Sequence, residues 1–278
     1  HAFTPYFSAY AHFDSVKEAY GSMGKEINFI ELGLSADTHY ADMIAENRGY
    51  QFLTCSDSHS PWPYRIGREF TRIKMKEPSF RELKKALEEK GEKRITLNVG
   101  LDPREGKYHL TACNACYAKF SLGQAEKLSW RCPKCKGSIK RGVRDRIEML
   151  SDGREEHPEF RPPYMHSVPL AEIIQIALDV QGINTVIVQS AWSDFVERFG
   201  NEIKVLVDAP IEELSEANPR IAQKINAFRL GWVHYIAGGG GNYGKPLICN
   251  SKEEFEKKGK ELKEGENDFS GQKTLGEF

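Results

Sequence analysis

The sequence has no apolar run that approaches the roughly 20 residues of a membrane-spanning helix. Its longest apolar stretches, 173–180 and 186–188, are interrupted by polar residues well short of that length. No basic segment followed by an apolar run opens the chain, so no secretory signal is visible. These absences predict a cytoplasmic protein with no membrane partner.

Net charge is also nearly absent, at −1 over 278 residues, but the charges are segregated along the chain. Residues 1–59 carry a net −5, residues 60–150 carry +11, and residues 151–278 carry −7. A basic middle third between acidic flanks favours a local surface for a polyanion, although basic helices are commonly just solvated.

Cysteine is scarce, yet four of the six cysteines form two pairs: Cys113-x-x-Cys116 and Cys132-x-x-Cys135. Two such knuckles fifteen residues apart predict one Zn²⁺ held by four thiolates in a reducing compartment. The alternative is a set of disulfides or free thiols. A four-cysteine site is closed, so its zinc is structural, and the module is suited to nucleic-acid or protein contacts.

Short strands and helices alternate over residues 1–59, which predicts α/β architecture. Apolar runs at 27–32 and 50–55 read as buried strands, and Glu31, Asp57 and His59 follow their ends. Asp57 and His59 are two residues apart, so both side chains face the same way. A carboxylate with an imidazole suits a divalent metal that activates water, while a hydrogen-bonded turn is the plainer alternative.

The last third predicts a helix over 170–180, a strand over 203–207 and a helix over 222–229. Residues 238–241 form a four-glycine loop, and the chain becomes charged from residue 251. The loop lacks the strand-to-helix context of a dinucleotide site, so we do not assign it one.

Three motifs carry a resemblance to a known family. Residues 1–5 (HAFTP), 31–37 (ELGLSAD) and 56–60 (SDSHS) resemble later motifs of the PHP (polymerase and histidinol phosphatase) metallohydrolases. Within the PHP metallohydrolases, the resemblance is to the endonuclease Q family. It rests on the continuation 61–70 (PWPYRIGREF), the four-cysteine ribbon and the glycine-rich region taken together.

The resemblance implies an α/β fold with four parts. We expect residues 1–100 to be the C-terminal portion of a distorted PHP-type β/α barrel and residues 101–150 a zinc ribbon. Residues 151–250 would then be an α+β C-terminal domain, and residues 251–278 a charged tail.

The resemblance also implies a second metal centre. His1, Asp57 and His59 match family ligands, and would hold a divalent cluster of Zn²⁺, Mg²⁺ or Mn²⁺ as the catalytic residues. The family's early H-x-H pair has no counterpart, so we expect the chain to belong to a longer protein and its cluster to be incomplete as given.

The implied activity is hydrolysis of a DNA phosphodiester 5′ to a deaminated base (hypoxanthine, uracil or xanthine) or an abasic site. Arg65 and Arg68 are candidates for binding phosphate, with salt bridges to nearby carboxylates as the alternative. Gly239, Gly240 and Tyr243 are candidates for the pocket of an extruded base, with a flexible hairpin connection as the alternative.

Two other functions remain open from the sequence. The chain could be a non-catalytic zinc-ribbon adaptor that binds nucleic acid, or a PHP phosphoesterase that acts on a small molecule.

The last residues contain a separate pattern. Gln272, Leu275 and Phe278 are spaced three apart, so one helical turn would place them on a single face. The pattern resembles the motif by which repair proteins bind the sliding clamp (PCNA), although that motif usually ends in two aromatics. Chance recurrence in a polar tail is the alternative.

Overall fold

The computed structural model describes residues 2–3, 8–62, 65–154 and 156–270, of which 263–270 are described as backbone alone. The chain divides into two compact units. The first comprises His1–Ser167 and Tyr235–Lys245, and the second comprises Val168–His234 and Pro246–Phe278.

The first unit is mixed α/β. Its strands are β1 (Phe29–Glu31), β2 (Gln51–Leu53), β3 (Phe70–Ile73), β4 (Ile95–Gly100), β5 (Ala112–Cys113), β6 (Ile139–Lys140) and β7 (Tyr164–His166). Its helices are α1 (Ala9–His12), α2 (Val16–Tyr20), α3 (Thr38–Asp42), α4 (Phe80–Glu88), α5 (Leu122–Lys127) and α6 (Val143–Leu150).

Three small sheets organise this unit. β1 and β2 pair in parallel, with Glu31 beside Leu53. β4 lies between β3, to which it is antiparallel, and β7, to which it is parallel. β5 and β6 form the antiparallel hairpin of the ribbon. Parallel pairing directs the carboxyl ends of β1 and β2 to the same edge, which is where loops of β/α enzymes carry their sites.

Helix caps are local and follow the sequence. α3 begins after Asp37, whose carboxylate accepts the N–H of Tyr40 at 2.9 Å. α4 begins after Ser79, whose hydroxyl accepts the N–H of Glu82 at 3.3 Å. The pair does not form a full capping box, because the Glu82 carboxylate instead accepts a bond from Arg94 at 2.9 Å.

One apolar core joins distant parts of the first unit. Tyr10, Leu32, Phe52 and Ile147 are all fully buried in it. Ile147 lies on α6, after the ribbon in sequence, so the chain returns from the ribbon to the core of the strand-bearing region. This burial of apolar surface fixes α6 beside β1 and β2.

The second unit is largely helical. It contains α7 (Leu170–Leu178), α8 (Val186–Phe199), α9 (Ile211–Ala217), α10 (Pro219–Arg229) and α11 (Lys252–Ser270). The chain passes between the units three times, after Ser167 and within each of the paired strands β8 (Val233–Ile236) and β9 (Lys245–Ile248). Across the described ranges, no helix combines the length and apolar character that a membrane crossing requires.

The predicted strand at 203–207 is wrong. Lys204–Asp208 forms a π-helical turn, in which Val205 and Leu206 are buried. A short run of aliphatic residues is compatible with either a buried strand or a buried helical turn, and its periodicity does not distinguish them. The helix predicted over 222–229 is present as part of α10.

Candidate metal centres

The first candidate centre lies beyond the carboxyl ends of β1 and β2. Asp57 and His59 follow β2, and His59 Nε2 lies 3.5 Å from Asp57 Oδ1. The His59 side chain is 88% exposed and that of Asp57 43%, so both are open to a ligand. The φ of Asp57 is +44°, a left-handed conformation that costs a non-glycine residue about 1 kcal/mol. Backbone strain of this kind clusters at functional sites.

Glu31 adds a half-buried carboxylate at the same edge. Burial raises its pKa, and the negative charge of Asp57 acts in the same direction. The N–H of Gly33, which donates to Oε1 at 2.9 Å, acts in the opposite direction. A carboxylate such as that of Glu31, whose charge is disfavoured by burial, is one that a nearby cation would stabilise.

The donor set therefore fits a divalent cation, since it combines an imidazole with carboxylates. In the parts of the chain that the structure describes, however, the ribbon cysteines are the one group of three or more potential ligands within bonding distance of a shared ion. His1, the third ligand that the resemblance implies, lies outside the described residues. The ligand roles of His1, Asp57 and His59 stay predictions.

The two candidate phosphate-binding arginines differ in their surroundings. The Arg68 Nε donates to Oε1 of Glu69, and the two side chains are only 12% and 2% exposed. Burial raises the pKa of Glu69 to about 7, although the neighbouring charge of Arg68 lowers it. The salt bridge that the sequence left open for Arg68 is thus formed, while Arg65 is half-buried beside it.

The second candidate centre is the ribbon. The Sγ atoms of Cys113 and Cys135 lie 3.4 Å apart, and those of Cys116 and Cys132 lie 3.6 Å apart. All four lie within 4.8 Å of one another. Four thiolates around one Zn²⁺ at about 2.3 Å would stand about 3.8 Å apart, so this cluster can hold a zinc ion.

The two knuckles repeat one backbone turn. The N–H of Tyr117 donates to the carbonyl of Cys113 at 3.1 Å, and the N–H of Lys136 donates to that of Cys132 at 2.9 Å. Tyr117 and Lys136 have φ of +59° and +63°. Each C-x-x-C thus turns back through a left-handed residue, which directs both of its thiols to one point.

The ribbon core is small. Cys113, Ala125, Cys132 and Ile139 are buried, and Cys116, Phe120, Leu128 and Trp130 pack partly buried against them. Tyr117, which follows the first knuckle, is 49% exposed and adds little to this core. So few apolar contacts leave the metal as the main source of folding free energy for this module.

The glycine loop packs against the chain that leads into the ribbon. The carbonyl of Gly238 accepts the N–H of Leu110 at 2.9 Å, and the N–H of Gly241 donates to the carbonyl of Lys107 at 2.8 Å. A Cβ on Gly239 would lie 2.8 Å from the carbonyl oxygen of Leu110. The loop is therefore a close backbone contact rather than a flexible connection, and Gly239 supports it by lacking a side chain.

Tyr243 stands at the end of this loop. Its side chain is 65% exposed, and the Lys107 ammonium lies 5.7 Å from the ring centre. An exposed aromatic face beside a cation is the combination that stacks a base and attracts a phosphate. The base-binding roles of Gly239, Gly240 and Tyr243 stay predictions.

Sequence reasoning missed a set of long-range contacts to two buried carboxylates in the first unit, those of Asp37 and Asp42. The Arg161 guanidinium binds both oxygens of Asp42, at 2.6 and 3.0 Å, and His157 Nδ1 lies 2.7 Å from Asp42 Oδ2. His166 Nε2 lies 2.9 Å from Asp37 Oδ2. These partners are 115 to 129 residues apart in sequence, so no local sequence pattern could predict the contacts between them.

The pKa of His166, a residue to which we assigned no role, is shifted by this pairing. Burial lowers this pKa, but the hydrogen bond to Asp37 and the charge of that carboxylate together raise it by more, so the net pKa lies above the ordinary value.

The clamp-motif residues Gln272, Leu275 and Phe278 lie outside the described residues.

Comparison with known proteins gives a family model and several relatives. The model described as the MJ0043 C-terminal domain matches residues 169–231. The uncharacterized protein MJ0043 of Methanocaldococcus jannaschii is 50% identical over 258 residues, which are 91% of this chain and 32% of that protein. The uncharacterized protein YqxK of Bacillus subtilis is 35% identical over 249 residues, 88% of this chain and 59% of that protein.

Two solved structures are also similar. The lesion-specific endonuclease PfuEndoQ of Pyrococcus furiosus matches with a TM-score of 0.81 and 49% identity over 89% of this chain and 61% of its own. Endonuclease Q in complex with a 27-mer duplex, which has an abasic lesion at the active site, matches with a TM-score of 0.83 and 49% identity. That match covers 90% of this chain and 62% of the other, so the chain spans about three fifths of both structures. The predicted fold class is confirmed.

Proposed function

We propose a function from one premise: this chain is a relative of endonuclease Q, as its motifs predicted and as 49% identity to two solved structures confirms. On that premise it forms part of a metal-dependent DNA-repair endonuclease. The observation that carries the proposal is structural similarity over about nine tenths of the chain to an enzyme bound to a damaged duplex. We propose cleavage 5′ to hypoxanthine, uracil, xanthine or an abasic site.

Asp57 and His59, with His1, would hold the catalytic Zn²⁺, Mg²⁺ or Mn²⁺. Such a cation lowers the pKa of water and neutralises developing charge on a phosphate. The 3.5 Å separation of the Asp57 and His59 side chains and their exposure support this role. Glu31 contributes negative charge from within the protein, which favours a cation at this edge.

Arg65 and Arg68 follow the catalytic loop and would bind the DNA phosphate. The salt bridge to Glu69 orients Arg68, because the Glu69 side chain is only 2% exposed and its carboxylate is held in place by the surrounding protein. We therefore assign Arg65 and Arg68 together to the positive potential that attracts the DNA phosphate.

The ribbon and the glycine loop would bind DNA away from the cut. The ribbon holds one structural Zn²⁺ on its four cysteines and presents basic residues to the phosphate backbone. Tyr243, with Lys107 beside its ring, would stack on an unpaired base, and Gly239 and Gly240 would let the loop approach the strand closely. Thiolate ligands need a reducing compartment, so we place the protein in the cytoplasm.

The C-terminal residues Gln272, Leu275 and Phe278 would bind the sliding clamp. The support is the motif alone, read in a tail where charged residues predominate. A short helix that orders on binding is the expected mode.

The catalytic proposal is tested by incision of a labelled duplex that contains hypoxanthine, using the full-length protein. Asp57→Ala and His59→Ala should each abolish incision while duplex affinity stays within a few-fold, because a metal ligand is lost and no backbone contact is. Asp194→Ala, an exposed aspartate on α8, is the matched control and should cut normally. Full incision by Asp57→Ala would overturn the assignment.

A further inference from the structure

A cavity of about 440 Å³ in the first unit is lined by residues other than the candidate ligands of the ribbon and of the strand-end centre. It is lined by Asp37, Thr38, His39, His157, Pro158, Arg161 and neighbouring residues to His166. Three imidazoles, those of His39, His157 and His166, line this one cavity, an unusual concentration of the nitrogen ligands that Zn²⁺, Ni²⁺ and Cu²⁺ prefer.

His157 is held as a metal-binding histidine is held. Its Nδ1 lies 2.7 Å from Asp42 Oδ2, and the Asp42 side chain is only 1% exposed. Arg161 fixes the same carboxylate through two hydrogen bonds. A carboxylate that accepts the Nδ1–H sets the tautomer and leaves Nε2 as a lone-pair donor, and it raises the basicity of that nitrogen.

His39 lies opposite. Its ring centre is 6.1 Å from that of His157, and its side chain is exposed at the start of α3. Two imidazoles that share one Zn²⁺ at about 2.0 Å have ring centres roughly 5 to 6 Å apart. A small rotation of the exposed His39 side chain is therefore enough to complete the pair.

Two further features favour a cation over an anion. Asp37, which pairs with His166, also lines the cavity, and its negative charge would repel a phosphate, while the positive charge of Arg161 is already paired with Asp42. The Thr38 hydroxyl is buried and has no hydrogen-bond partner among the described residues. A water ligand of a bound ion could supply the partner that this hydroxyl lacks.

We propose that His39 and His157 bind a divalent transition metal, with Zn²⁺ the natural occupant, at a site separate from the ribbon and from the strand-end centre. The ion would join α3 to the segment around 157–161, which Asp42 already contacts. Its remaining positions would be filled by water, so the site is open and exchangeable. This inference does not depend on the proposed nuclease activity.

The experiment is calorimetric titration of Zn²⁺ into the Asp57→Ala/His59→Ala protein whose ribbon already carries zinc. We expect a further equivalent with a dissociation constant in the micromolar range. His39→Ala should weaken that equivalent at least tenfold, and His157→Ala should remove it. His12→Ala, another exposed histidine of the first unit, is the matched control and should bind as the parent does.

Zinc bound elsewhere contributes equally to the titrations of all these variants, so the differences between them report on the proposed site alone. His157→Ala also removes a partner of Asp42, so His39→Ala, whose side chain is exposed, decides the question if His157→Ala folds poorly. The proposal would be overturned if the titration curve of His39→Ala matched that of His12→Ala. It would also be overturned if the Asp57→Ala/His59→Ala parent bound no additional zinc at concentrations below about 1 mM.

Discussion

Gly240 and Cys113 lie so close that a Cβ on Gly240 would stand 2.2 Å from the Cys113 carbonyl oxygen. Gly240 also has φ of +65°, which disfavours a side chain independently. The glycine loop is thus fitted against the first zinc ligand. Glycine at this position serves the packing of the ribbon, whatever the loop does with DNA.

Gly240→Ala should lower the free energy of unfolding by about 3 kcal/mol or more, because strain at positive φ adds to a backbone clash. Gly153→Ala is the matched control, since Gly153 has φ of +76° with open space around it among the described residues. It should cost about 1 to 2 kcal/mol. Urea unfolding of both variants measures the difference, and equal losses would refute the clash.

Cys113→Ser/Cys116→Ser should remove one tightly bound zinc per chain, measured by elemental analysis of the purified protein. Two hydroxyls cannot replace thiolates in a four-thiolate site. Cys249→Ser, at a buried cysteine outside the cluster, should keep the metal. Unchanged zinc in the double variant would contradict the ribbon assignment.

Asp42→Ala should destabilise the protein by about 3 to 5 kcal/mol, because it leaves Arg161 buried without its carboxylate. The Arg161 and Asp42 side chains are 3% and 1% exposed. Asp152→Ala breaks a similar two-bond contact to Arg48, but there the side chains are 28% and 14% exposed. That change should cost about 1 kcal/mol or less, and chemical denaturation compares the two.

His109 should make the protein acid-sensitive. Burial, assisted by the charge of Arg144, lowers its pKa to about 4 from an ordinary 6.5. The unfolded chain therefore binds a proton between these values and the folded chain does not, so stability falls as pH drops from about 6.5 to 4. Above that window His109 contributes no pH dependence.

The loss attributable to His109 is about 3 kcal/mol across the window. His109→Gln should flatten the curve of unfolding free energy against pH by that amount. Identical slopes for His109→Gln and the parent protein would show that His109 is not held neutral.

A peptide of residues 268–278 should bind the sliding clamp of the same organism, because Leu275 and Phe278 would fill an apolar pocket while Gln272 makes a polar contact. Calorimetry should give a micromolar dissociation constant, and Phe278→Ala should abolish the heat. If the unchanged peptide gave no heat of binding at high micromolar concentration, the proposal that this tail binds the clamp would be wrong.

The sequence by itself determined the features whose cause is local. Two C-x-x-C pairs specify their thiolate cluster because each knuckle turns within five residues, and Ser79 caps α4 because its partner is three residues away. The position of Asp57 and His59 after a buried strand followed from the same short-range pattern. The motif order also determined the resemblance to endonuclease Q.

Tertiary structure alone decided the rest. Nothing in the sequence pairs Asp42 with Arg161, 119 residues later, or seats Gly240 on the Cys113 carbonyl. The run at 203–207 is predicted as a strand, but residues 204–208 form a helical turn in which Val205 and Leu206 are buried. Such contacts depend on which surfaces meet when the chain collapses, and the free energy of burial that selects them is a property of the assembled core and not of any short segment.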